Sequence, residues 1–193
     1  MRSIDHEFFF SHQLDIGCNV IFSTVCVEAS KYFNFSLREV ERYGRMMKIA
    51  GSAIKKYPGG FPEANAEVFV LNYIVPIVLA LQMYDIDLYS RFMAGLNPDP
   101  MIDILLRPNI ELRTHLLCSN QETYDSKNQI IDCKREGKSI SLSDRLKEVY
   151  SAIFSKPSAR SRHIGMMAFE HSTRYCIEEI ASMLSPQSEY QFE

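Results

Sequence analysis

A run of apolar residues in the first half of the chain sets the strongest limit on the fold. Residues 63–84 read EANAEVFVLNYIVPIVLALQMY, in which charged side chains are rare. Such a run is buried either in a protein core or in a bilayer, where a spanning helix needs about 20 largely apolar residues. Glu67, Asn72 and Gln82 interrupt the run, and Pro76 removes a helix hydrogen bond and favours a kink. The sequence therefore predicts a kinked helix in a protein core, with a membrane span as the weaker alternative.

A second helix is predicted from the residues at its start. Glu39 follows Ser36 at the spacing of a capping box, in which each side chain accepts a hydrogen bond from the backbone amide of the other residue. Apolar residues then recur at helical spacing on one face, at Leu37, Val40, Met47, Ala50 and Ile54. Proline and glycine at positions 58–60 end this helix near Lys56.

Arginines occupy another face of the same helix. Arg38, Arg42 and Arg45 stand at i, i+4 and i+7 and therefore lie along one stripe. Guanidinium groups on one stripe can clamp a phosphate or a carboxylate through bidentate hydrogen bonds. The alternative is an ordinary solvated face, on which Glu39–Arg42 and Glu41–Arg45 form surface ion pairs.

The start of this helix also resembles a known family. The segment FNFSLREVER, residues 33–42, is similar to the x-S-L-R-E-x-E-R segment late in the KAP family of P-loop NTPases, which includes PifA-like phage-exclusion proteins. The stretch DLYSRFMAG, residues 87–95, is similar to the C-terminal portion of that family. The resemblance covers about residues 22–106. It implies ATP or GTP hydrolysis with magnesium by a complete family protein, and it implies that Arg38 and Arg42 contact the nucleotide phosphates there.

The nucleotide-binding loop of such NTPases does not occur in this sequence. A Walker A loop needs G-x-x-x-x-G-K-[ST], whereas the pair Gly59-Gly60 is followed by FPE. Asp85 and Asp87 follow an apolar run as Walker B carboxylates do, but without a phosphate loop we expect one of them to cap the next helix instead. The sequence therefore predicts no catalytic residue and no cofactor in this chain, and Mg-ATP is implied by the resemblance alone.

Other candidate sites are few. The five cysteines form no C-x-x-C pair and the histidines show no zinc spacing, so we expect no metal site. Arg160, Arg162 and His163 form a basic cluster at the start of the last predicted helix, where cations oppose the macrodipole. Such a placement marks Arg160 and Arg162 as a candidate anion site, although a solvated first turn is the commoner explanation.

The elements predict an all-α fold, an irregular helical domain of about six or seven helices. The predicted helices span residues 13–33, 36–56, 63–84, 88–94, 101–106, 142–154 and 159–184. We expect a helical region over residues 1–107, a polar connection over 108–141 with a loose helix near 121–134, and a C-terminal helical pair over 142–193 that packs on the first region.

The sequence leaves three hypotheses for function. The first is a fragment or split part of a KAP-like P-loop NTPase, inactive alone, whose partner is a P-loop core or a complete NTPase and whose bare surface favours self-association. The second is a standalone helical protein-interaction or regulatory module. The third is an enzyme of unrecognised type, which would need a concave site with perturbed titratable groups. The net charge of −3 gives no clear signal for nucleic acid or an anionic membrane, and without an evident targeting segment we expect a cytoplasmic protein.

Overall fold

The structure, a computed structural model, describes residues 20–54, 66–154 and 162–183. Within these ranges the chain forms helices and two small antiparallel sheets. The helices are α1 Val20–Tyr32, α2 Leu37–Ile54, α3 Ala66–Phe69, α4 Val75–Tyr84, α5 Ile86–Met93, α6 Asp99–Leu105, α7 Leu142–Phe154 and α8 His171–Met183. A π-helical turn, Val70–Ile74, joins α3 to α4, and a 3-10 turn spans Thr114–Leu117. The strands are β1 Glu122–Asp125, β2 Ile130–Cys133, β3 Ser139–Ser141, β4 Arg162–Ile164 and β5 Met167–Phe169.

The apolar run forms the centre of the core. α3, the π turn and α4 form one continuous helix from Ala66 to Tyr84. Of its most apolar 18-residue stretch, 72% is buried inside the protein. Among the described residues it is the one helix long and apolar enough to cross a membrane. Since α1, α2 and α8 pack against α4, the helix lies in a protein core, as predicted.

The chain accommodates Pro76 by placing the π turn directly before it. Proline lacks an amide hydrogen, and its ring clashes with the carbonyl of the preceding turn, so a regular helix is disfavoured there. Widening the helix to the i→i+5 pattern relieves this conflict, and Pro76 then falls in the first turn of α4, where a missing amide costs least. The Tyr43 hydroxyl, from α2, donates to the Pro76 carbonyl oxygen at 2.7 Å and ties the two helices together.

Replacing Tyr43 with phenylalanine is expected to lower the free energy of unfolding by about 1 kcal/mol, because the ring stays while a buried hydrogen bond is lost. Tyr43 is fully buried, so water does not replace the missing donor. Urea unfolding followed by circular dichroism measures the loss. Tyr84→Phe is the matched control, since that side chain is about half exposed. A loss for Tyr43→Phe no larger than that of the control would contradict the role of this bond.

The predicted start of α2 is confirmed. The Ser36 amide donates to the Glu39 carboxylate at 2.7 Å, and the Glu39 amide donates to the Ser36 hydroxyl at 3.4 Å, which completes the capping box. Three of the predicted apolar positions are buried, namely Val40, Met47 and Ala50. Leu37 is instead 52% exposed, and the side chain of Ile54 lies outside the described residues. Tyr43, which the pattern did not include, occupies the buried face.

The prediction of an all-α fold is wrong. The region predicted as a polar connection with a loose helix contains a three-stranded antiparallel sheet in the order β1-β2-β3. Tyr124 pairs with Ile131, and Ile131 pairs with Ile140 on the other side. These strands are three or four residues long, which is too short to show a clear alternation in sequence. Contacts between side chains on neighbouring strands stabilise them.

The last predicted helix is wrong over its first half. Residues 162–169 form the antiparallel hairpin β4–β5, and the helix begins only at His171. Gly165 lies in the hairpin turn with φ 59°, a left-handed conformation that ends any helix. Residues 159–161 lie outside the described ranges. Tyr175, within the helix that does form, is exposed.

Gly165 also brings the hairpin against the 3-10 turn. A Cβ atom on Gly165 would collide with backbone atoms of Leu116 and Leu117 and would lie 2.7 Å from the Cys118 nitrogen. The Met166 amide donates to the Leu116 carbonyl oxygen at 3.0 Å. The hairpin and the 3-10 turn therefore meet backbone to backbone, at a distance that only glycine permits.

A buried carboxylate connects α1 to the segment after α6. The side chain of Glu28 accepts hydrogen bonds from Arg107 at 3.0 Å, Asn109 at 2.9 Å and Lys31 at 3.2 Å. Burial raises the pKa of this carboxyl, but the three hydrogen bonds outweigh burial, and the pKa of Glu28 lies below its ordinary value. The Arg107 guanidinium also lies 5.5 Å from the centre of the Tyr32 ring, so one side chain serves two contacts.

Candidate anion-binding surfaces

The predicted arginine stripe lies on the exposed face of α2, and we call it the arginine face (Arg38, Arg42 and Arg45). These side chains span roughly 10 Å along the helix axis. The surface ion pairs Glu39–Arg42 and Glu41–Arg45 do not form. The Glu39 carboxylate instead accepts the hydrogen bond of the capping box. No described residue forms an ion pair with any of the three guanidiniums. The arginine face therefore presents three hydrogen-bonding cations to solvent.

Aliphatic side chains flank the arginine face. Leu37 precedes Arg38 and is 52% exposed, and Ile49 follows Arg45 by one helical turn and is 53% exposed. Exposed aliphatic residues next to arginine are common at protein contact surfaces, whose centres are enriched in arginine and apolar groups. The face can therefore contact a macromolecule as well as a small anion.

A second basic surface is a cleft of about 540 Å³ between α7 and β4. It is lined from α7 by Lys147, Glu148 and Ser151, and from β4 by Arg162, His163 and Ile164. The predicted anion site included Arg162, but this residue lies on a strand, so the argument from a helix macrodipole does not apply to it. Arg160, its predicted companion, lies outside the described residues.

The cations of this cleft differ in how they are compensated. Lys147 forms an ion pair with Asp144 at 2.8 Å, and the hydrogen bond with Asp144 raises the pKa of Lys147 above its ordinary value. Arg162 instead donates to the Ser151 hydroxyl at 3.3 Å. Across the described ranges no carboxylate pairs with Arg162, so its positive charge is available to a ligand.

The structure also shows what the other residues considered in the sequence analysis do, where it describes them. The Asp85 carboxylate accepts hydrogen bonds from the amides of Asp87 and Leu88 at 2.8 and 3.0 Å and caps α5, as expected. Residues 20–54, 66–154 and 162–183 contain no group of three or more metal-ligating side chains placed to hold an ion. The cysteines of these ranges whose side chains are described, Cys26, Cys118 and Cys133, form no disulfide.

Sequence reasoning found the arginine face but missed most of the cleft. On α7 the sequence offered one signal for the cleft: Lys147 and Ser151 stand four residues apart in a correctly predicted helix. The sequence predicts a helix over the β4 residues of the cleft. No sequence pattern therefore indicates that they lie next to α7.

This chain matches no protein-family model, no curated protein and no solved structure. What these surfaces do is therefore inferred from their geometry and from the sequence.

Proposed function

We propose that this chain is a binding module that engages an anionic partner through the arginine face of α2 and is not catalytic by itself. The observation that carries this proposal is the absence of an acidic partner, among the described residues, for each guanidinium of the face. Elsewhere in the fold Arg107, Arg145 and Arg174 are in ion pairs, whereas Arg91, Arg135 and Arg162 have none among the described residues, so what distinguishes the arginine face is three such arginines on one stripe. Arginines left without such partners on one stripe keep their full capacity to bind an anion.

The chemistry of the arginine face favours phosphate as the anion. A guanidinium matches phosphate through two parallel hydrogen bonds, and three of them over roughly 10 Å suit a short chain of phosphate groups. The resemblance of residues 33–42 to the KAP family supports a nucleotide held by a P-loop core as the source of those phosphates. In this proposal the core supplies Mg-ATP and the hydrolytic chemistry, whereas Arg38 and Arg42 contact the phosphates.

A second candidate is a standalone protein-interaction module. The exposed side chains of Leu37 and Ile49 favour it, because they extend the arginine face with apolar surface that a nucleotide does not need. The partner in that case is an acidic protein surface, which the same guanidiniums would bind through carboxylates.

The double variant Arg38→Gln/Arg42→Gln is expected to bind inorganic tripolyphosphate about 10-fold more weakly than the wild-type chain. Each exposed charge contact contributes up to about 1 kcal/mol, and 1.4 kcal/mol corresponds to a tenfold change. Titration at low salt, followed by amide chemical shifts along α2, measures the affinity and locates the site. Arg135→Gln is the matched control, since this exposed residue lies in the turn between β2 and β3.

A hexaglutamate peptide separates the two candidates. Tighter binding of tripolyphosphate supports the nucleotide proposal, and tighter binding of hexaglutamate supports the protein-interaction module. Equal affinity of the double variant and of Arg135→Gln for both anions would show that the arginine face binds neither.

A further inference from the structure

We propose that the cleft between α7 and β4 is a separate site for the phosphate monoester of a small molecule, independent of the arginine face. Its volume of about 540 Å³ falls in the range of small-molecule sites, roughly 300–1,000 Å³, and the cleft is wide open to solvent, so it covers one side of a bound molecule. It exceeds the space that a phosphate group needs, so the cleft can hold both the phosphate and the group esterified to it.

Arg162 is the primary phosphate ligand in this proposal. Its Nη1 donates to the Ser151 hydroxyl oxygen at 3.3 Å, which brings the guanidinium to the cleft while its other donors remain available. Lys147 adds a second cation from the facing helix, and His163 adds ring nitrogens that can donate or accept.

The acidic groups near the cleft are already engaged. Asp144 pairs with Lys147, and the Glu148 carboxylate, which lines the cleft, pairs with Arg145 at 3.3 Å. Arg145 also pairs with the Glu122 carboxylate, so the three carboxylates Asp144, Glu148 and Glu122 balance the three cations Lys147, Arg145 and Arg162. A phosphate would therefore bind through Arg162 itself, the cation of the lining that has no carboxylate partner among the described residues.

The esterified group has an apolar contact available. Ile164 lines the cleft and is 7% exposed. An aromatic or aliphatic group attached to the phosphate can cover this side chain, and burying apolar surface adds about 25 cal/mol per Å². The cleft should therefore favour a monoester over free phosphate.

Phenyl phosphate, inorganic phosphate and benzoate are suitable probes, titrated into the full chain and followed by amide chemical shifts of residues 147–151 and 162–164. We expect phenyl phosphate to bind about 2-fold more tightly than inorganic phosphate, since little of Ile164 is exposed, and about 10-fold more tightly than benzoate. Arg162→Gln should weaken phenyl phosphate about 10-fold, and Lys147→Gln should weaken it less. Arg135→Gln, an exposed charge change outside the cleft, should leave the affinity unchanged, and circular dichroism confirms that each variant is folded.

Each alternative result overturns a defined part of the proposal. Equal affinity for phenyl phosphate and inorganic phosphate would show that the cleft does not recognise the esterified group. Equal affinity for phenyl phosphate and benzoate would show that it does not prefer phosphate to a carboxylate. Shifts confined to α2 would assign the binding to the arginine face instead. Absence of binding at millimolar phenyl phosphate would remove the site, without affecting the function proposed for α2.

Discussion

Replacing Gly165 with alanine is expected to lower the free energy of unfolding by about 4 kcal/mol. A left-handed backbone conformation costs a non-glycine residue about 1–2 kcal/mol, and Gly165 has φ 59°. The added methyl group also meets backbone atoms of Leu116 and Leu117, which cannot rotate away as a side chain would. Overpacking of this kind costs about 1–3 kcal/mol, and displacing the 3-10 turn also breaks the hydrogen bond from Met166, worth about 1 kcal/mol.

Gly137→Ala is a matched control for this experiment. Gly137 has φ 60°, but a Cβ atom there meets nothing within 4 Å, so the substitution carries the backbone strain without the collision. Its expected cost is about 1–2 kcal/mol. Urea unfolding of the two variants isolates the collision as the difference between them. Equal losses would contradict the backbone-to-backbone contact between the hairpin and the 3-10 turn.

Replacing Arg107 with methionine is expected to lower the free energy of unfolding by about 2–3 kcal/mol at neutral pH. Removing one partner of a buried ion pair typically costs about 3–5 kcal/mol, because the remaining charge stays buried with less compensation. The side chain of Glu28 is buried, but that of Arg107 is 30% exposed, so we expect a value below that range. Lys138→Met is the control, since its pair with Glu136 is exposed on both sides and should contribute nothing measurable.

The pH dependence provides a second test of the Glu28 contacts. Because the pKa of Glu28 is lowered in the folded protein from its ordinary 4.5, its contribution is fully present above that value and is lost as the pH falls through the folded pKa. Arg107→Met should therefore lose more stability at pH 7 than at pH 3. A loss that is the same at both pH values would show that Arg107 acts through the Tyr32 ring or the Glu28 carbonyl oxygen and not through the carboxylate.

The helices could be predicted wherever their signals are local. The bounds predicted for α7, residues 142–154, are those observed, since Ser141 caps it through the Asp144 amide and its apolar positions recur at helical spacing. The capping box at Ser36 fixed the start of α2 in the same way. Helix hydrogen bonds and caps join residues three or four apart, so a single stretch of sequence contains the information.

The sheets could not be predicted from such signals. Strands of three or four residues show too few alternations to establish a period of two. In the last segment Ile164, Met167 and Ala168 stand at i, i+3 and i+4, a spacing that is typical of a helix and that the hairpin β4–β5 also contains. The deciding contact is that of Gly165 with the 3-10 turn, which lies far away in the sequence.

The arginine face and the cleft also differ in how far local sequence signals predict them. The arginine face follows from the spacing of Arg38, Arg42 and Arg45 within one helix, so the sequence predicted it. That Arg42 forms no ion pair with Glu39 required the structure. The cleft requires α7 and β4 to meet, and a segment predicted as helix could not bring Arg162 to Ser151.

The order of the elements along the chain has a consequence during synthesis. α8 packs against α4, and the Gln82 amide donates to the Ala181 carbonyl oxygen at 3.4 Å. A ribosome adding about 5–20 residues per second needs about 5–20 s for the roughly 100 residues that separate these two helices. Throughout that interval the side of α4 that packs against α8 lacks this contact. Transiently exposed apolar surface promotes aggregation, so we expect the yield of folded protein to depend on translation speed as well as on final stability.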